Sequence, residues 1–470
     1  MLFSSITFLY FFLPLTVLLY YGVPGRAKNF VLFVLSVLFY AWGEPVYVLL
    51  MLAEIVVAYG LTIAMQRLGK SLAGKVCYAL SVLFPFTLLF YYKFSPFLPI
   101  GISFYTFQIV SYCIDVRRGR VELQKSLLKL ATYVTLFPQL VAGPIVRYAD
   151  VAAVIDGIDS KDSKGSQGFL KKDACVSFER GVVRFFVGLG KKVLIANVLG
   201  EFVTEVSVLP HMQRGILLSW GYAAAICLQL YFDFSGYSDM AIGLGRMLGF
   251  SFPENFNYPF IAKSVSEFWR RWHMTLGGWF RDYVYIPLGG NRCSKWRWIF
   301  NVLVVWMFTG LWHGAEWNFV LWGLSFAVLL VAEKAVKGLV KQHNVLTDVL
   351  GHGYMILVIL GTFVLFHNTQ LSGAWQDLTG LWRVPAGAQV DVVLNGYLLK
   401  NRLGILVIGL IGATPLPKKL WCGFCDRVSQ TDVGSIAAVW LECAFSVALL
   451  LLCTAYLIDG SFNPFLYFRF

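Results

Sequence analysis

Long apolar runs separated by short polar segments recur along most of the chain. Runs of about 20 residues are as long as a transmembrane helix must be to cross the hydrocarbon core. The pattern predicts an all-α polytopic membrane protein, which we treat as a single domain over residues 1–470. About eleven to thirteen spans are predicted, near 5–23, 29–43, 46–65, 74–91, 97–114, 129–146, 182–204, 215–232, 299–312, 317–336, 353–370, 402–415 and 435–457.

Two of these runs contain residues that interrupt helices. FLPIG (97–101) opens one run, and FPQLVAGP (137–144) lies inside another. At membrane depth, Pro and Gly are tolerated where protein or water, rather than lipid, satisfies the freed backbone groups. We therefore expect both runs to be bent or re-entrant helices that line an interior cavity.

The composition and the distribution of charge support this prediction and add an orientation. Hydrophobic residues make up 58% of the chain and charged residues 14%, against about 25% charged in soluble domains. Basic residues cluster in loops 24–28, 66–75 and 117–129, whereas the intervening loops carry at most one each. Basic loops stay in the cytoplasm, so the N-terminus should face outward. This bias and anionic lipid explain the net charge of +13 without a nucleic-acid partner.

One non-membrane segment, 251–298, is dense in aromatic and basic residues, and we predict that it is amphipathic, interfacial or partly re-entrant. His273 lies within it. Arginines bind phosphate oxygens in pairs and aromatic rings stack on nucleobases, so the segment suits an anionic substrate; anionic lipid headgroups would fit equally well. Its cations are Lys263, Arg270, Arg271, Arg281, Arg292, Lys295 and Arg297.

His313 lies in FTGLWHGAEWN (308–318), at the end of an apolar run. At 1.5 Å per helical residue, it lies roughly 22 Å from Trp298, deep in the bilayer. Ionisable groups at that depth either hold helices together or form a functional site, and the residues alone leave both open. Gly310 and Gly314 leave room beside the ring, and Glu316 is one candidate to orient it.

Familiar catalytic motifs are missing from the sequence. It contains no Walker motif, no G-x-S-x-G, no H-E-x-x-H and no clustered Cys/His set. We therefore predict no metal and no bound cofactor, with histidine as the acid–base group of any enzyme.

Six stretches together are highly characteristic of one family, namely FSSITFLYFFLP (3–14), LPIGISFYTFQIVSYCIDV (98–116), FPQLVAGPIVRY (137–148), YFDFSGYSDMAIG (231–243), EFWRRWHMTLGGWFRDYVYIPLGGNR (267–292) and TGLWHGAEWNFVLWG (309–323). With them the chain resembles the membrane-bound O-acyltransferase superfamily, in particular its bacterial alginate O-acetyltransferase branch. The terminal FLYFRF (465–470) extends the resemblance.

The resemblance implies a ring of tilted helices around a central tunnel in the bacterial inner membrane. It also implies that an acetyl group passes from cytoplasmic acetyl-CoA to the outer face for polysaccharide O-acetylation. An extracytoplasmic serine-hydrolase-like partner would complete the transfer. The alternatives are D-alanyl or other acyl transfer to a cell-envelope polymer, lipid or protein, and, outside enzymes, a transporter or flippase.

The family's near-invariant histidine falls on His313 and its second motif histidine on His273. We also assign Tyr467 as an acyl relay in the C-terminal tail 461–470, the alternative being an aromatic anchor at the membrane interface. These three are the predicted catalytic residues. The predicted substrate- or CoA-binding residues are Arg270, Arg271, Trp312, Arg281, Arg292 and Lys295.

Overall fold

A computed structural model describes residues 1–158, 172–336 and 344–460, and within these ranges the chain is helical with no β-strand. The C-terminal tail 461–470, with Tyr467, lies outside the described residues, as do residues 159–171 and 337–343. The predicted all-α class is therefore confirmed for the described chain.

Twenty α-helices follow one another in the described ranges, and several are interrupted by short π- or 3₁₀-helical turns. Their bounds are α1 Leu13–Gly22, α2 Gly25–Ala41, α3 Tyr47–Leu68, α4 Leu72–Lys93, α5 Ile102–Arg117, α6 Leu127–Thr135, α7 Phe137–Leu140, α8 Tyr148–Ile158, α9 Lys172–Gly190, α10 Val198–Ser207, α11 Ile216–Met247, α12 Val265–Trp269, α13 Met274–Phe280, α14 Lys295–His313, α15 Trp317–Val336, α16 Val345–His367, α17 Leu371–Gly380, α18 Val392–Gly412, α19 Leu416–Val428 and α20 Asp432–Asp459. The π-helical turns are Phe8–Phe12, Lys191–Asn197 and Arg281–Tyr285, and the 3₁₀ turns are His211–Gln213 and Pro259–Ile261.

Seven helices of the described chain are long and apolar enough to cross a membrane: α3, α4, α11, α15, α16, α18 and the Ile436–Asp459 part of α20. The protein is thus a multi-pass membrane protein. Phe8–Gly22 is a shorter apolar helix. The predicted span 129–146 is broken into α6 and α7, as its Pro and Gly content predicted, whereas the predicted span 299–312 lies within the unbroken 19-residue helix α14. The ring of helices around a tunnel stays a prediction.

The chain divides into two compact units. Unit 1 contains Met1–Leu189 and Tyr237–Glu254, and unit 2 contains Gly190–Gly236 and the described residues from Asn255 onward. The prediction of a single domain is not tested by this division and stays a prediction. Both predicted catalytic histidines belong to unit 2.

In unit 1 the predicted helix breaks are confirmed. Helix α6 ends at Thr135, the short α7 follows, and the chain from 141 to 147 is not helical. Gly101 precedes α5 with a left-handed φ of 75°, and a Cβ built there would lie 2.5 Å from the carbonyl oxygen of Leu140. Only glycine allows this approach without strain, so the two interrupted runs contact each other at their breaks.

Helix α11 extends well beyond the predicted end of its span at residue 232, because the polar residues that follow are paired. Asp233 lies 2.7 Å from the Nζ of Lys192, and both side chains are 2% exposed. Asp239 accepts from Arg184 at 2.8 Å. Paired in this way, carboxylates can continue a helix through an apolar environment.

In unit 2, α14 and α15 form a helical hairpin with very close backbones. A Cβ at Gly310 would lie 2.4 Å from the carbonyl oxygen of Phe319, and one at Gly323 would lie 2.3 Å from that of Trp306. Small residues at helix–helix contacts permit such an approach. The hairpin places His313 at the end of α14, immediately before the turn into α15.

Segment 251–298 forms the short helices α12 and α13 with intervening turns, and its last residues begin α14. Its interfacial or re-entrant character stays a prediction. Its apolar side chains Val265, Phe268, Trp272, Leu276 and Trp279 are buried. The segment is therefore packed into unit 2, rather than being a loosely attached surface loop.

Candidate active site

His313 is the last residue of α14 and is buried. Its imidazole meets Trp322 and Phe366 edge to face, with ring centroids 5.0 and 5.1 Å apart. The neighbouring Trp312 ring lies 4.7 Å away. Aromatic rings thus surround the imidazole, and such a low-dielectric setting strengthens any charge interaction formed there.

Glu316, the candidate partner of His313 in the sequence, lies in a different setting. Helix α14 ends at His313, and Glu316 is an exposed residue of the turn before α15. Its main-chain carbonyl accepts from the amide of Phe319 at 3.2 Å. The regular helical spacing that would place the carboxylate beside the imidazole is therefore not formed.

His273 is buried at the start of α13, with a left-handed φ of 42°. Its Nδ1 lies 3.0 Å from Oδ1 of Asn255, which also accepts from the Thr275 hydroxyl at 2.8 Å. An amide oxygen only accepts, so we assign the hydrogen of the imidazole to Nδ1. The lone pair is then on Nε2, which is buried and makes no hydrogen bond to any described residue.

The surroundings of His273 keep its ring neutral. This residue lies outside the membrane-spanning helices, and its burial lowers the pKa to about 3. The Phe234 ring packs perpendicular to the imidazole, at a centroid distance of 4.7 Å. An imidazole with this low proton affinity is suited to accept a hydrogen bond, whereas it would be a weak base for full proton removal.

The structure brings three of the predicted site residues together although the two histidines are far apart in the sequence. The Trp312 ring contacts both, with its centroid 6.0 Å from that of His273 and 4.7 Å from that of His313. These two imidazoles and the indole that contacts them are all buried within unit 2, and they define the candidate active site.

The predicted basic residues separate into two groups. Four are already engaged: Lys263 with Asp348 at 2.6 Å, Arg271 with Glu267 at 2.9 Å, Arg281 with Asp282 at 2.8 Å, and Arg297 with the Leu288 carbonyl at 3.4 Å. The other three, Arg270, Arg292 and Lys295, are exposed and make no ion pair with a described residue. These three are the cations of the segment that remain available to an anion.

Sequence reasoning missed four residues of this site: Asn255, Asn318, Trp322 and Phe366. Two of them lie in the quoted stretch 309–323, one turn apart, so the helical spacing from Asn318 to Trp322 was the available signal. Asn318 donates to the main-chain oxygen of Asn368 at 2.6 Å. Among the residues that the structure describes, no three His, Cys, Asp or Glu side chains converge in a way that would hold a metal ion.

The chain belongs to the membrane-bound O-acyltransferase family, whose model matches residues 4–366. The matched range includes both histidines of the site. The protein is therefore an O-acyltransferase of the membrane, and the family resemblance drawn from the sequence is confirmed.

Among individual relatives, the probable alginate O-acetylase AlgI of Azotobacter vinelandii is 34% identical over all of both chains. The peptidoglycan O-acetyltransferase of Helicobacter pylori is 27% identical over all of this chain and 98% of its own length. The teichoic acid D-alanyltransferase of Bacillus subtilis is 30% identical, but over 58% of this chain and 68% of its own.

Proposed function

We propose that this protein transfers an acetyl group from cytoplasmic acetyl-CoA to an extracytoplasmic polysaccharide, alginate-like or another exopolysaccharide, from the bacterial inner membrane. The choice of acetyl over D-alanyl is supported by the length of the alignments. The O-acetylases align over the whole chain, and the D-alanyltransferase aligns over little more than half of it. Acetyl is therefore favoured over D-alanyl as the transferred group.

In this proposal His313 is the general base. A hydroxyl is a weak nucleophile at its ordinary pKa, and a positioned imidazole activates it by taking the proton as the new C–O bond forms. The tetrahedral intermediate then collapses, the C–S bond of the thioester breaks, and the proton passes to the departing thiolate. An ester and the free thiol of CoA are the products.

His273 would act as a positioning residue. Its protonated Nδ1 is engaged by Asn255, and its bare Nε2 offers a hydrogen-bond acceptor inside the site. A hydroxyl or amide N–H of a substrate is the matching donor. Because the pKa of His273 is about 3, it would remain neutral throughout the catalytic cycle.

Arg270, Arg292 and Lys295 would contact the phosphates of CoA at the cytoplasmic side. They are exposed and not neutralised by described carboxylates, whereas the remaining cations of the segment are engaged within the protein. Arginine binds phosphate through paired N–H groups and lysine as a point charge, so a mixed set suits an anionic donor.

We further propose that Tyr467 accepts the acyl group and presents it to an extracytoplasmic serine-hydrolase-like partner, as the family resemblance implies. Substituting Tyr467 by Phe removes the accepting hydroxyl and keeps the ring. Loss of polymer O-acetylation in the Tyr467→Phe chain is expected, and full acetylation would rule out the relay.

The proposed function is tested with purified protein, acetyl-CoA labelled in its acetyl group, and measurement of both free CoA thiol and protein-bound label. We expect wild type to release CoA and His313→Ala to lose this activity at least 100-fold, in line with the ~10²–10⁴-fold contribution of a general base. His352→Ala is the matched control, because His352 lies about 21 Å along α16 from Phe366. Wild-type activity in an inserted His313→Ala protein would contradict the role of His313, and failure of wild type to use acetyl-CoA would contradict the donor.

A further inference from the structure

The indole N–H of Trp322 is a buried donor that the mechanism above does not use. Trp322 is 2% exposed, and its Nε1 makes no hydrogen bond to any described residue. Burying an N–H group without a partner is unfavourable because its hydration is lost and not replaced, so native proteins rarely keep such a group without a use for it.

The ring that carries this donor contacts the proposed general base. The Trp322 ring and the imidazole of His313 are nearly perpendicular, with centroids 5.0 Å apart and planes at 87°. The indole of Trp269 also has an unbonded Nε1, but among the described residues that ring contacts Phe268, Trp306, Trp322 and Phe326 rather than the imidazole. The position of Trp322 thus separates it from an ordinary packing residue.

The helix that carries Trp322 is held rigidly on both sides. One turn before it, Asn318 donates to the main-chain oxygen of Asn368 at 2.6 Å. One residue after it, Gly323 brings α15 against the backbone of α14 at Trp306. A donor fixed before the reaction starts needs no reorganisation when charge develops, and this condition makes electrostatic catalysis effective.

We propose that Trp322 Nε1–H donates a hydrogen bond to the oxyanion of the tetrahedral intermediate. When the acceptor oxygen bonds to the thioester carbon and His313 takes its proton, the C=O π electrons move onto the carbonyl oxygen. The indole N–H stabilises that charge, and the electrons return to the C=O bond as the C–S bond breaks. Trp322 neither gains nor loses a proton.

The experiment removes the N–H while keeping the shape. Trp322 is replaced by 3-benzothienylalanine, in which sulfur stands in place of the N–H, and by Phe; Trp306→Phe is the matched control in the same aromatic cluster. Removing one oxyanion donor costs about 10²–10³ in kcat, so we expect that loss in both Trp322 variants with KM unchanged. Trp306→Phe should lower the melting temperature and leave kcat within a few-fold of wild type.

Full kcat in the benzothienylalanine protein would overturn the inference, even if Trp322→Phe were too unstable to purify. The inference rests on the proposed role of His313 as general base, but not on acetyl-CoA being the acyl donor. A failure of the oxyanion role and a failure of the proposed base give different results. If His313→Ala retains activity, His313 is not the base. If His313→Ala is inactive but the benzothienylalanine protein is fully active, only the oxyanion role of Trp322 is contradicted. If acetyl-CoA proves not to be the donor, the same variants are compared by polymer O-acylation in cells that lack their own copy of the protein.

Discussion

At the scale of single residues, the environment of His273 makes protein stability depend on pH. The pKa of this buried ring is about 3, whereas an unfolded histidine titrates near 6.5. Between these values the unfolded chain binds more protons than the folded chain, so stability is complete above pH ~6.5 and falls as the pH decreases toward 3.

We expect His273→Asn to lose less stability than wild type on acidification from pH 7 to pH 5, by up to about 1.4 kcal/mol for each pH unit below 6.5. Asn tolerates the left-handed backbone at this position. The measurement is the thermal midpoint in detergent micelles at both pH values, with His352→Asn as the control. An identical acid-induced shift in wild type and His273→Asn would show that the ring is not held neutral.

The two groups of cations predict different kinetic effects. Replacing both Arg292 and Lys295 by Ala should raise the KM for acetyl-CoA about tenfold or more with little change in kcat, because the lost contacts are the same in the ground and transition states. Arg281→Ala, whose guanidinium already pairs with Asp282, should leave KM near the wild-type value. The measurement is the steady-state rate at varied acetyl-CoA concentration. Equal KM values in wild type, the double variant and Arg281→Ala would exclude Arg292 and Lys295 as the CoA-binding cations.

Residue types at the centre of the site could be read from the sequence, but their partners could not. His273, Trp312 and His313 were predicted, and the structure places them together. Asn255 was missed because its bond to His273 joins two irregular segments with no periodic pattern. Trp322 was missed because an apolar run does not reveal which of its indoles keeps an unbonded N–H.

At the scale of elements, the α14–α15 hairpin depends on Gly310 and Gly323, because the two backbones lie too close together for a side chain at either position. We expect Gly323→Ala to force the helices apart, since its Cβ would lie 2.3 Å from the Trp306 carbonyl oxygen. Both the thermal midpoint and the acyl-transfer rate should fall. Gly353→Ala in α16, where a Cβ meets no heavy atom within 4 Å, should be at least as stable as wild type. Equal stability of the two variants would contradict the close approach.

Hydrophobic pattern predicted most long helices but misjudged where some of them end. The spans near 317–336 and 435–457 correspond closely to α15 and α20. The end of α11 was predicted too early, because Asp233 and Asp239 look like a polar boundary until their cations on other segments are known. Long-range pairing of this kind cannot be read from local periodicity.

At the scale of the whole molecule, basic loops predict which ends of the helices face the cytoplasm. Helices α17 and α19 lie at opposite ends of α18, whose 21 residues extend about 31 Å. Helix α19 carries Lys418, Lys419 and Arg427, so it should be cytoplasmic and α17 extracytoplasmic.

This orientation is testable with a membrane-impermeant maleimide. Cys422 is exposed on α19 and should be labelled only after cells are permeabilised, in a chain whose other exposed cysteine, Cys443, is Ser. A cysteine introduced at the exposed Gln376 on α17, with Cys422 also replaced by Ser, should react in intact cells. Labelling of Cys422 in intact cells would reverse the assigned orientation.

The buried pair of Lys192 and Asp233 also constrains how the protein is made. Each charge alone costs about 2.5–3.5 kcal/mol at the centre of a membrane helix, and in the folded protein each is 2% exposed. Asp233 follows Lys192 by 41 residues, so at 5–20 residues per second it is synthesised about 2–8 s later. During that interval the segment that carries Lys192 must remain near water or the insertion machinery. Once α11 is synthesised, Asp233 can pair with Lys192, and both segments can then insert into the membrane.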